Sequence, residues 1–370
     1  MRPLAGVLVV DASRMLPGAV LGRQLIELGA RLIKVEQPLF GDPLRSTPPI
    51  VDGCGAGFRE FYAGAESIRL DLRRSDDAAR LIRLASRADV LVESFRPASS
   101  EAWGIAPRRL AALNPRLVVC TLSAFGGTGD NARRVGHDLN FVAGAGALDL
   151  MGRTELPRLQ LADVSSGLLA CSAILAALLA RVASGCGTVL DQPLAAGPLP
   201  FLTWALADRA AGGGGLNEPA GLMSGAAPAY RLYSAADGLR VAVCALEPKF
   251  WVGLLELLGL PGFADAALDT GRRGLEAAAR IAERLAREPR ATWLERCRAR
   301  GLPVTAVNDL DDARHDAAFV AAGLLGMEGC GPYWPAFGPR APRVAPSLGQ
   351  HDGSLRAEFG LDPSQSAGPA

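Results

Sequence analysis

Apolar residues in the first half of the chain come in short runs, each followed by a longer stretch with helical spacing. Val7 to Asp11 is a brief run of the kind that forms a strand buried on both faces of a parallel sheet. A helical stretch from Ala19 to Leu28 follows and stops at Gly29, a residue suited to a left-handed helix terminus. Leu32 to Glu36 reads as the next strand, and Ser67 to Asp71 as another. Ser75 begins a helix that carries Ala79, Leu81, Ile82 and Leu84. Val90 to Val92 and Leu117 to Leu122 are further strands. This alternation predicts an α/β fold: an open parallel sheet with helices on both faces.

From Asp138 to Ala183 the chain is apolar and mostly helical, and Thr188 to Asp191 closes the region as a strand. Pro and Gly then cluster, with the run Gly212-Gly213-Gly214-Gly215, which reads as a linker. A second unit starts near Tyr230. Two strands, Tyr230 to Ser234 and Leu239 to Cys244, flank the hairpin turn Ala236-Asp237-Gly238. Helices follow at Pro248–Leu258, Gly274–Arg287 and Thr292–Arg300, with a returning strand at Val304–Val307. The expected organisation is a large domain over 1–195, completed by 335–370. A linker over 196–227 leads to a smaller α+β domain over 228–320, and a return linker covers 321–334. The tail from Asp362 reads as disordered.

Composition narrows the function classes. Of 370 residues, 49% are apolar and 21% charged, an ordinary globular balance. The net charge of +1 gives no electrostatic argument for nucleic acid or a membrane surface. Seven cysteines form no C-x-x-C pair and read as reduced, mostly buried thiols of a cytoplasmic protein. The N-terminus lacks the pattern of a signal peptide. The longest apolar stretch, Leu168 to Leu179, is too short to span a bilayer and predicts a buried helix.

The phosphate-binding signatures G-x-G-x-x-G and G-x-x-x-x-G-K-[ST] are absent, as is a G-x-S-x-G elbow. The three histidines, His137, His315 and His351, show no metal-ligand spacing, so no metal is expected. His315 and His351 sit in polar, charged runs and read as surface residues. His137 follows the loop Gly126-Gly127-Thr128-Gly129 and precedes an apolar helix. A neutral imidazole there can act as a base near pH 7, and the N–H groups of the helix's first turn, near Asp138, can hold an oxyanion. Asp163 and Glu247 also stand at expected helix starts. Taken singly, all three fit helix caps as well as they fit chemistry.

Longer stretches carry a resemblance. Pro3-Leu4-Ala5-Gly6-Val7-Leu8-Val9-Val10-Asp11 looks like the opening of class III CoA-transferases and α-methylacyl-CoA racemases. So do Leu28 to Glu36, Gly41-Asp42-Pro43-Leu44-Arg45, and Asp89 to Pro97. Gly136-His137-Asp138-Leu139-Asn140 and Ala245-Leu246-Glu247-Pro248-Lys249-Phe250-Trp251 resemble the racemase branch. The resemblance implies a Rossmann-like large domain, a smaller domain, and an interlocked homodimer with the active site between subunits. It implies that His137 and Asp163 flank the α-carbon of a 2-methylacyl thioester, and that a partner subunit's Glu pairs with the His. In the transferase branch the Asp is instead a nucleophile that forms acyl anhydrides. Glu247 matches that Glu. Gln37, Arg45, Arg96, Phe141 and Tyr230 are the expected substrate-binding positions. No cofactor is implied beyond the CoA of the substrate itself.

The chain departs from the family pattern at several of these places. A basic stretch of the form Asn-Arg-Gly-Lys-Arg-Ser is replaced by Ala63-Gly64-Ala65-Glu66-Ser67. Gln37 stands where Arg is frequent, Ala98 replaces a Gly, and Phe141 replaces a Tyr. Lost charged hydrogen bonds, at about 1.5–3 kcal/mol each, imply a weakened grip on the nucleotide of CoA. The expected substrates are then a CoA thioester held by Arg45, Arg69, Arg73 or Arg96, or a thioester carried on an acyl carrier protein.

Overall fold

Six strands pair in parallel in the first part of the chain: β1 (Leu8–Ala12), β2 (Arg31–Glu36), β3 (Glu66–Arg69), β4 (Val90–Glu93), β5 (Val118–Ser123) and β6 (Val189–Pro193). Their order across the sheet is β3-β2-β1-β4-β5-β6. The direction of winding reverses between β1 and β4. In open α/β sheets the crevice for a ligand lies at the carboxyl ends of the strands at such a point. The computed structural model describes residues 2–151, 156, 158–213, 221–326, 329–331, 333–338 and 343–361. The tail from Asp362 lies outside the described residues, as do parts of both expected linkers.

The principal helices are α1 (Met15–Glu27), α2 (Ser75–Arg87), α3 (Asp138–Gly144), α4 (Leu161–Ser184), α5 (Leu199–Ala210), α6 (Pro248–Leu258), α7 (Arg272–Leu285), α8 (Arg290–Ala299) and α9 (Asp352–Phe359). Successive strand residues point to opposite faces of a sheet, and here both faces are covered. Val9, Leu32, Val118 and Cys120 pack with α1 and with Ala170, Cys171 and Ile174 of α4. Val10, Ile33, Leu91 and Val119 pack with α2 and with Leu355 and Phe359 of α9. The chain divides into two compact units, residues 1–200 with 330–370, and residues 201–329. The second unit has an antiparallel sheet of β7 (Tyr230–Ser234), β8 (Arg240–Cys244) and β9 (Val304–Ala306), covered by α6, α7 and α8.

Three expectations about this region change. The stretch read as a linker from residue 196 holds a twelve-residue helix, α5. Most of its apolar residues, Phe201, Trp204 and Leu206 among them, are exposed and Leu202 alone is buried, so only the flanking Pro and Gly stood out in the pattern. The helical region from Asp138 is broken: α3 ends at Gly144, a short helix spans Ala147–Leu150, and α4 begins at Leu161. Finally, α4 runs for 24 residues and is long and apolar enough to cross a membrane by length and composition. The apolar run underestimated it because the first turn carries Asp163, Ser165 and Ser166. One face of α4 packs on α1. A Cβ on Gly167 would stand 2.7 Å from the Pro17 carbonyl oxygen, so the crossing needs glycine there. The buried Gln24 amide donates to the Gly167 carbonyl at 3.2 Å, and Arg181 in the last turn pairs with Asp89 at 2.9 Å.

The carboxyl ends of β1 and β2 are joined by a buried ion cluster. Lys34 is fully buried, and its ammonium lies 3.2 Å from both Asp11 and Asp42 and donates to the Ser13 carbonyl at 2.7 Å. Asp11 also accepts from the Tyr62 hydroxyl at 3.0 Å and from the Ser13 backbone N–H at 2.8 Å. Burial alone would lower the Lys34 pKa, but the carboxylates of Asp11, Asp42 and Glu36 overcome it and raise it above the usual value. Removing one partner of a buried ion pair strands the other charge at a cost of several kcal/mol. Lys34→Met is therefore expected to lose about 3–5 kcal/mol of stability. Urea unfolding followed by tryptophan fluorescence measures it, and an unchanged midpoint would refute the role given to this cluster.

Candidate active site

His137 is the N-cap of α3, in extended backbone conformation, and its N–H donates to Asn140 Oδ1 at 3.0 Å. That is half of a capping box, and it sets the direction in which the chain enters the helix. Gly136 before it has no room for a side chain, since a Cβ there would lie 2.8 Å from the Phe141 ring. Phe141 is buried and meets Phe125 edge-on at 5.1 Å, while the Arg134 guanidinium covers the other ring at 3.8 Å. The glycine loop leading to His137 is pinned from β6, where Asp191 accepts from the Gly127 N–H at 2.6 Å and from the Ser123 hydroxyl at 2.5 Å. His137 itself is exposed.

Asp163 is the third residue of α4, not its cap; Gln160 holds that position. Its backbone N–H donates to Asp138 Oδ1 at 3.0 Å. Asp138 is the first residue of α3, so its carboxylate ties the first turns of α3 and α4 together and fixes His137 relative to Asp163. Burial raises the Asp163 carboxyl from 3.8 to about 6, with the Asp138 charge adding to the rise and His137 opposing it. The Asp138 N–H, expected near an oxyanion, lies in the first turn of α3, where helix geometry offers it no intrahelical acceptor.

His137, Asp163, Asn140, Phe141 and Arg96 line one cleft of about 580 Å³. Its floor comes from Thr121 to Ala124 at the end of β5, and its rim from Arg14 and Ser94 to Pro97. A second cleft of about 460 Å³ lies over the ends of β1, β2 and β3, and Arg14 and Phe95 line both. Gln37 lines this second cleft, and its Oε1 accepts from the N–H groups of Leu39 and Phe40 at 2.7 and 2.8 Å.

Arg45 lines neither cleft. Its guanidinium makes two hydrogen bonds of 2.7 Å to Glu36, a third of 3.0 Å to the Pro346 carbonyl, and lies 3.8 Å over Phe58. The replaced stretch from Ala63 to Ser67 lines neither cleft either. Gly64 donates to Val344, Ser67 donates through its N–H to His351 Nδ1 at 3.0 Å, and Glu66 pairs with Arg31 at 2.9 Å. His351 is thus half-buried against β3, unlike the exposed His315.

Glu247 and Tyr230 belong to the second unit. Glu247 caps α6 through its backbone, and its exposed carboxylate has no partner among the described residues. Tyr230 opens β7 opposite Cys244. Sequence reasoning missed Arg14 and Arg134, which carry no local signal. It quoted Asn140 without seeing that the spacing His-x-x-Asn encodes a capping box. Among the described residues no group of three or more His, Cys, Asp or Glu is arranged to hold a metal ion.

The chain is similar to known proteins along almost its whole length. The family model for CoA-transferase family III matches residues 4–352. An alpha-methylacyl-CoA racemase of Mus musculus is 31% identical, covering 97% of this chain and 93% of that one. An acetyl-CoA:oxalate CoA-transferase of Acetobacter aceti is 30% identical, covering 96% of each chain. The solved structure of a CAIB/BAIF family protein from Brucella suis superposes with a TM-score of 0.80 at 28% identity, covering 96% of this chain and 99% of that one. A parallel sheet wound in this order, a family match along almost the whole length and relatives of both reaction types place the chain in CoA-transferase family III, as a divergent member.

Proposed function

We propose that the chain moves the α-proton of a 2-methylacyl thioester, with His137 and Asp163 as the two bases. The observation that carries this reading is the Asp163 carboxyl, raised to about 6 in a cleft it shares with His137. A carboxyl near 6 is suited to take and return a proton near neutral pH. Inversion requires a base on each face of a planar enolate. The N–H groups of the first turn of α3, at Asp138, supply donors for the enolate oxygen. A transferase that uses Asp163 as a nucleophile needs the carboxylate ionised and has no need of His137.

The reading extends to a homodimer in which Glu247 of one copy orients His137 of the other. The unpartnered Glu247 carboxylate supports it. So do the exposed apolar side chains of α4 and α5, including Leu179, Val182 and Trp204, which a second copy would cover.

Four outcomes are expected. In deuterated water a 2-methylacyl-CoA should exchange its α-proton, and His137→Ala and Asp163→Asn should each lower that exchange by about 10²–10⁴-fold. A hydroxylamine-trappable acyl group on Asp163, without exchange, would instead establish the transferase. The rate in the direction where Asp163 is the base should fall as pH drops through about 6, because the carboxylate is then protonated. The fold holds this carboxyl above its usual value, so its ionised form costs stability above about pH 6. Asp163→Asn should therefore melt at an equal or higher temperature at pH 8; a lower one contradicts the desolvated carboxylate. Finally, inactive His137→Ala and Glu247→Gln chains, unfolded and refolded together, should regain about a quarter of wild-type exchange. Half the dimers are mixed and one of their two sites is intact. No regain would exclude a shared site.

A further inference from the structure

We propose that this chain binds the nucleotide of its thioester without reading the ribose 3′-phosphate, so that dephospho-CoA thioesters serve as well as CoA thioesters. The inference rests on the thioester reading above and concerns the second cleft. The two clefts differ in charge. The cleft with His137 is lined by three guanidinium groups, Arg14, Arg96 and Arg134, against one carboxylate, Asp163. Arg14 and Arg96 are exposed, and neither side chain has an ion-pair partner among the described residues. Arg14 lines both clefts and Arg96 the first, and the pair suits a diphosphate.

The second cleft leaves fewer cations free. Its solvent-accessible lining charges are the Asp71 carboxylate and the guanidiniums of Arg14 and Arg73, while the carboxylates of Glu36 and Asp42 are buried beneath it in ion pairs with Arg45 and Lys34. Arg73 is bound to Asp71 through two hydrogen bonds of 2.8 and 2.9 Å. Arg74, next to it, does not line the cleft. The other cations of this edge are engaged as well: Arg45 by Glu36 at 2.7 Å, Arg69 by Asp352 at 2.7 Å, and Lys34 by Asp11 and Asp42 at 3.2 Å. The walls are Phe40, Phe95 and Trp103, with the last two rings edge-on at 5.3 Å. Such a site favours a flat, uncharged base. A phosphomonoester beside that base would face Asp71, with Arg73 already bound to it, and the other lining cation, Arg14, is occupied by the diphosphate. Like charge without a bidentate partner gives no gain in affinity for the extra phosphate.

The test uses the full chain. Calorimetric titration with CoA and with dephospho-CoA should give dissociation constants within about 3-fold of each other, a difference under 1 kcal/mol. The corresponding thioesters should exchange their α-protons with kcat/KM in the same ratio. Arg96→Ala should weaken both nucleotides about 10-fold or more through the lost diphosphate contact, without changing their ratio. A preference for CoA of 30-fold or more overturns the proposal. So does failure of both nucleotides to bind, or a phosphopantetheine thioester, free or on a carrier protein, that reacts as well as the dephospho-CoA thioester. Equal binding without any proton exchange would leave this proposal standing and remove the racemase reading, so the two failures are distinguishable.

Discussion

The buried Lys34 ammonium is the constraint on which the sheet's working edge depends. It stands at the carboxyl end of β2 and reaches Asp11 at the end of β1 and Asp42 in the loop after β2. Three segments that would otherwise diverge are held to one point in a medium where a charge cannot be left alone. The same cluster orients Ser13, whose carbonyl accepts from Lys34, and so sets where the chain turns toward Arg14 and α1. A second pair extends it outward. Burial alone would raise the Glu36 carboxyl, but the hydrogen bonds from Arg45 and Ser67 overcome this and hold it below the usual range. The cations beneath the second cleft, Lys34 and Arg45, are therefore engaged from within, which leaves them little to offer a ligand.

The cleft with His137 and Asp163 follows a different logic. It is built on helix starts, where backbone donors are unpaired and short polar side chains are natural. Asp138 accepts from the Asp163 N–H and thereby locks one helix start against the other. The same carboxylate lies close enough to push the Asp163 carboxyl upward. One residue thus supplies both position and proton affinity. Gly136 and Phe141 add the steric half, since the ring tucks beneath the loop only where no Cβ intervenes. These contacts set the geometry of the cleft within the chain itself.

Membership in CoA-transferase family III does not by itself select a reaction, because relatives of about equal identity carry racemase and transferase names. The distinction rests on local physical chemistry. A carboxylate that must attack a carbonyl is best kept ionised, whereas one that must take and return a proton is best kept near its working pH. The proposed reading rests on the half-buried Asp163, whose carboxyl burial raises to about 6.

Much of this was legible in the residues themselves. Val9 and Val10, Leu32 and Ile33 alternate between two apolar faces, and that period specifies a doubly covered parallel sheet without any knowledge of its partners. Pro248 to Leu258 announces its helix through Pro at the start and Gly259 just beyond the end. His137, Asp163 and Glu247 were visible as polar residues at helix starts, and only resemblance lifted them above ordinary caps. What the sequence did not contain is which charges meet. Arg45 and Arg73 look alike on paper, yet one is half-buried on Glu36 and the other lies on the surface against Asp71. Arg14 and Arg96, with no distinguishing neighbours, are the cations left uncommitted at the cleft. Secondary structure is encoded by periodicity, which is local. Charge neutralisation depends on which strands the fold places side by side, so only the tertiary structure decides it.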